Sequence, residues 1–167
     1  MRVVLIVAIC GGLIGQAAAT ESAGFVHDMQ RVLATRGPTE AVAAMTANGD
    51  WGRLIARISS GDADAISLVR ELANGTDAGT SEELTISLAE ALPKAPLNVL
   101  GVLIPDRNSL LSFRRVCSAP FIEDSPSHQR MYKAAALRAV RRVGRSRIPD
   151  LVRSSDPCIA EMKKIVG

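Results

Sequence analysis

Two histidines, His27 and His128, are the first residues to weigh for chemistry, because imidazole titrates near neutral pH and is the commonest metal ligand. Neither stands in an H-E-x-x-H or C-x-x-C-H pattern, and neither lies at ligand spacing from a cysteine. Both read as ordinary surface or half-buried residues, and no metal or cofactor is expected. The chain contains no G-x-S-x-G nucleophile elbow and no phosphate-binding P-loop. Glu82, Glu83 and Glu90 could contribute to the Glu/Asp pair of a helical wall-cleaving hydrolase, which works through one carboxylic acid and one carboxylate. Glu83, however, also fits the third helical position behind Thr80 in a capping box, and helix surfaces carry such acids routinely.

Shorter patterns weaken in the same way. Asp77-Ala78-Gly79-Thr80 has the spacing of an aspartic-protease turn, but that turn requires Ser or Thr second and strands on either side. A glycine-containing loop ending in a helix cap is the simpler reading. Asp62-x-Asp64 hints at calcium without the loop glycine and final glutamate of an EF-hand. Asn74-Gly75-Thr76 is a glycosylation sequon by pattern only. Trp51, the single tryptophan, heads an apolar stripe with Leu54, Ile55 and Ile58 and is expected in the core.

The cysteines give a firmer result once the N-terminus is considered. Met1-Arg2, the apolar run Val3 to Ile14 and Ala17-Ala18-Ala19 read as a cleaved signal peptide covering residues 1–19. The apolar run is too short to span a bilayer, and Ile9 before Cys10 argues against a lipobox. Removal leaves 148 of the 167 residues, enough to bury a sizeable core without a metal or staple. Cys10 leaves with the leader. Cys117 and Cys158 remain, an even pair expected to form a structural disulfide in an oxidising compartment, here the periplasm.

The elements that must position these residues are helices. Apolar residues recur at three- and four-residue intervals between short breaks such as Gly37-Pro38, Asn48-Gly49, Ser60-Gly61 and Asn74-Gly75. Thr39, Asp50, Asp62 and Thr80 are expected helix caps. Pro96 and Pro126 are expected in first turns, and Asp156-Pro157 is expected to start the last helix. No run of five residues alternates convincingly. The expectation for residues 20–167 is one all-α domain of eight or nine short helices in an irregular antiparallel bundle. A HEAT- or armadillo-like stack of helix pairs is the alternative, although no sequence period repeats.

A formal charge of +3 conceals a division. Thr20–Asp106 carries 6 basic and 12 acidic residues, whereas Arg107–Gly167 carries 13 basic and 5 acidic. Arg138, Arg141, Arg142 and Arg145 fall on one helix face, either as a solvated surface balanced by the acidic half or as a contact surface for an anionic partner. Nucleic acid is not expected, since the aromatic residues are scattered away from the basic cluster. With no converging catalytic groups, the expected role is an exported periplasmic protein acting non-enzymatically through a protein-binding surface. An envelope adaptor, a chaperone-like factor and an immunity-type inhibitor all fit, with the wall hydrolase as the alternative.

Overall fold

Glycine at a helix end permits the left-handed backbone that turns the chain without a side-chain clash. Gly37, Gly49 and Gly61 take φ values of 76°, 82° and 92°. They separate α1 (Ile14–Arg36), α2 (Pro38–Asn48), α3 (Asp50–Ser60) and α4 (Ala63–Ser67). α5 (Val69–Leu72), α6 (Ala78–Ala91), α7 (Pro96–Val102), α8 (Phe113–Val116), α9 (Pro126–Gly144) and α10 (Pro149–Lys163) follow. The computed structural model describes residues 14–118, 125–146 and 149–165. The expected leader falls largely outside that range, and the described core starts at Phe25.

The architecture is all-α, with ten helices among the described residues rather than eight or nine. The extra helix arises at Leu68, where a turn divides the expected Asp62–Asn74 helix into α4 and α5. Asp62 caps α4 as expected, its carboxylate accepting the backbone N–H groups of Asp64 and Ala65.

The starts expected at Thr39, Asp50 and Asp156 are placed differently. Pro38 occupies the first turn of α2, so the capping position falls on Gly37, ahead of Thr39. Asp50 lies inside the first turn of α3 and accepts from Asn48 Nδ2 at 2.8 Å instead of capping. α10 begins at Pro149 and runs through Pro157, so Asp156-Pro157 is interior. Proline in a helix lacks one backbone donor and crowds the carbonyl four residues back. Here packing of α10 against α9 and the bond at the adjacent Cys158 hold the helix through that point.

One apolar core runs from Phe25 to Met162. Trp51, Leu54 and Ile58 of α3 are buried, as is the Leu84–Leu88–Leu92 edge continuing from α6. α3 and α6 run parallel. Trp51 donates from Nε1 to Glu83 Oε2 at 2.5 Å near their starts, and Lys94 donates to Ser59 O at 2.5 Å near their ends. α4 packs on α7, α2 on α5 and α1 on α4 at the same offset of three elements. That recurring offset is a feature of stacked helices. By contrast, α9 and α10 form an antiparallel pair: Lys133 donates to Ile165 O at one end, and Gly144 sits against Ser155 at the other. No helix among the described residues is long and apolar enough to cross a membrane.

Tyr132 locks α9 onto α6. Its buried hydroxyl donates to Ala89 O at 3.1 Å, and burial, followed by the nearby Glu90 carboxylate, raises its pKa well above the ordinary 10.0. The folded chain therefore retains the phenolic proton more firmly than the unfolded chain does. The stability this contributes is complete below pH 10.0 and is lost as pH rises above it. Tyr132→Phe is expected to flatten the alkaline limb of a pH–stability profile measured by urea unfolding. An unchanged alkaline limb would remove Tyr132 as its source.

Candidate binding cleft and cationic surfaces

α8 is a single turn built to present two arginines. Ser112 caps it, accepting from Arg115 N at 3.3 Å, while Phe113, Val116 and Cys117 face the core. One turn of helix that buries its first and last residues leaves the middle two, Arg114 and Arg115, outward. The preceding loop is pinned by Ile104 N donating to Leu111 O at 3.0 Å. Asp106 accepts from the backbone of Asn108 at 3.0 Å, which closes the turn carrying Arg107.

Across from α8 stands the end of α10. Cys117 and Cys158 are joined, with Sγ atoms 2.14 Å and Cα atoms 5.4 Å apart, so the expected disulfide is present. It links the chain immediately after α8 to the middle of α10. Both cysteines are fully buried beneath the surface they connect.

Between these walls lies an open cleft of about 620 Å³. Arg107, Arg114 and Arg115 line it with Glu161, Lys164 and Ile165. Lys164 is paired with Glu161 at 2.7 Å, whereas the three arginines form no ion pair among the described residues. The ion pairs of 2.5 Å or longer, Arg31–Asp28, Arg53–Asp50, Arg57–Asp62 and Lys164–Glu161, each join residues close in sequence, as does the shorter Arg153–Asp150 contact. None links the acidic half to the basic half. Direct pairing between the halves therefore does not neutralise these arginines among the described residues. A guanidinium presents a planar fork of donors whose geometry matches a carboxylate or phosphate, and three such groups line this one cleft.

Arg138, Arg141 and Arg142 on α9 and Arg145 at its C-cap are all exposed, as the helix spacing required. They do not line the cleft. The cleft lies near the Lys133–Ile165 end of the α9/α10 pair, and these arginines cluster toward the Gly144–Ser155 end. The cleft arginines were the ones not singled out by sequence. The usable signal was Arg114-Arg115 one residue short of a bonded cysteine, since the cross-link brings the distant Lys164 alongside them.

The candidate chemistry residues do not converge. His27 is exposed on α1 and His128 is exposed in the first turn of α9. No group of three His, Cys, Asp or Glu that could hold a metal occurs among the described residues. Trp51 is buried, and its partner Glu83 is not the capping glutamate expected behind Thr80. Instead Asp77 caps α6: Thr80 N donates to its Oδ1 at 2.9 Å, and Thr80 Oγ1 accepts from Asp77 N at 2.9 Å. Starting the helix three residues earlier brings in a carboxylate as the capping acceptor and leaves Glu83 free for the indole.

Asp77 and Glu82 do share a second cleft of about 560 Å³, with Arg115 at its edge. The backbone and hydroxyl hydrogen bonds from Thr80 lower the Asp77 pKa below the ordinary 3.8. Such a group stays ionised, which is the opposite of what a general acid needs. No family model, curated protein or solved structure matches the chain.

Proposed function

We propose that this chain is an exported, non-enzymatic helical protein that binds an acidic segment of a partner protein in the Arg107–Arg114–Arg115 cleft. The observation that carries the reading is the set of three arginines around one concavity without ion-pair partners among the described residues. A concave site of this volume suits carboxylate side chains on a peptide, and Ile165 offers an apolar contact beside them. The leader-like N-terminus and the buried disulfide support export to the periplasm. Such a receptor serves an envelope adaptor, a chaperone-like factor or an immunity-type inhibitor equally well.

A labelled Asp/Glu-rich peptide titrated against the protein tests the reading. Affinity is expected to fall with added salt and to drop at least about tenfold for each of Arg114→Ser and Arg115→Ser, the scale of one charge-assisted hydrogen bond. Equal binding by wild type and both variants would contradict it. The wall-hydrolase alternative draws only on Asp77 and Glu82 sharing a cleft. Digestion of purified peptidoglycan that Glu82→Gln abolishes would favour it over the binding role.

A further inference from the structure

α9 carries a second cationic surface of a different shape. Its 19 residues contain no Asp or Glu. Tyr132, Ala136, Ala139, Val140 and Val143 turn inward, which fixes the rotation of the helix. Arg130, Arg138, Arg141 and Arg142, with Arg145 at the C-cap, are then all exposed, with no ion pair among the described residues. At 3.6 residues per turn the five fall within a sector about 120° wide and about 22 Å long. Met131, 71% exposed, lies in the same sector. The surface is the outer side of a packed helix, convex, and it adds no aromatic anchor to the arginines.

We propose that this face of α9 docks the protein on an anionic phospholipid surface. An acidic protein partner would call for a concave, water-excluding site with buried anchors, which is where binding energy concentrates at protein interfaces. A bilayer bearing anionic headgroups requires only cations distributed over a face that can lie flat, with each arginine contributing independently. Met131 can enter the headgroup region beside them, because an unbranched thioether adapts to an irregular apolar setting. The core-facing side of α9 stays in the fold, so docking requires no unfolding. The cleft is lined from the Arg107 turn, α8 and the end of α10, with no residue of α9, so it is a separate surface from this face.

Co-sedimentation of the full chain with vesicles of phosphatidylglycerol and phosphatidylcholine, against vesicles of phosphatidylcholine alone, tests the proposal. The phosphatidylglycerol-dependent part of binding is expected to weaken with salt. It is expected to fall ~100-fold when Arg138, Arg141 and Arg142 are together replaced by glutamine, at about fivefold per arginine. Arg114→Gln with Arg115→Gln is expected to leave it unchanged, which separates this face from the cleft. Circular dichroism of the triple variant is expected to match wild type, since the three side chains are exposed. The proposal is overturned if phosphatidylglycerol adds no binding, or if the cleft variant loses as much as the triple variant. It is also overturned if polyglutamate binds the cleft variant more tightly than the phosphatidylglycerol vesicles do at equal charge concentration, because the face would then serve an acidic protein partner.

Discussion

Replacing Cys117 and Cys158 together by alanine is expected to lower unfolding free energy by about 4 kcal/mol. That is the chain-entropy value for a cross-link across a sequence separation of 41 residues. For a domain of this size the corresponding fall in melting temperature is about 8–16 °C. The bond ties α8, one turn long, to α10, beside the packing of Phe113 and Val116 in the core and of α8 on α6. The same variant is therefore expected to bind the acidic peptide more weakly at temperatures where it remains folded, because Arg114 and Arg115 lose their fixed distance from Lys164. Thermal melts of wild type, the double variant and the reduced wild type check this, the last two being expected to coincide. A loss below about 1 kcal/mol would mean that the apolar core alone sets the position of α8.

Gly75→Ala is expected to be the most damaging glycine-to-alanine replacement among the described residues. A Cβ at that position would lie 2.2 Å from Pro38 C and 2.3 Å from Pro38 O, and neither backbone atom can swing away. The loop after α5 presses directly on the first turn of α2, so relief requires moving a whole helix. Overpacking of this kind costs about 1–3 kcal/mol, and backbone neighbours place the expectation at the upper end. Gly52 is the internal contrast. It is exposed in α3 with nothing within 4 Å of a Cβ, so Gly52→Ala is expected to stabilise by up to about 1 kcal/mol. Urea unfolding of the two variants should move in opposite directions. A neutral Gly75→Ala would mean that the loop and α2 are not in contact in solution.

The contrast at Gly75 also marks where sequence reading reaches its limit. Asn74-Gly75 reads as a helix stop of the same kind as Asn48-Gly49, yet only Gly49 takes a left-handed φ. Gly75 is required by a neighbour 37 positions earlier, and no local pattern encodes that approach. The helices themselves were legible, because the Trp51–Leu54–Ile58 stripe and the flanking glycines are local signals that agree with one another. The disulfide was legible by elimination. Capping was legible in kind and misplaced in register: Asp77 and Thr80 form the box where Thr80 and Glu83 were expected, because several polar residues in a row each satisfy the pattern.

The candidate site divides along the same line. Exposure of Arg138, Arg141, Arg142 and Arg145 followed from helical spacing once the apolar face of α9 was identified. The cleft needed three separate segments brought together: the Arg107 turn, α8 and the end of α10. Net charge by halves pointed toward the C-terminal part of the chain but not to that convergence. The acidic half offered an apparent counterweight, and the ion pairs among the described residues are local instead.

Residue-resolved NMR mapping of the acidic peptide on the isotope-labelled protein tests the binding role most directly. Backbone amide shifts are expected to concentrate at Arg107, Asn108, Arg114, Arg115, Ser118 and Lys164, with the exposed face of α9 silent, and to vanish in the Arg114→Ser, Arg115→Ser variant. Shifts centred on Arg138 to Arg145, or spread evenly over the basic half, would contradict a receptor cleft between α8 and α10.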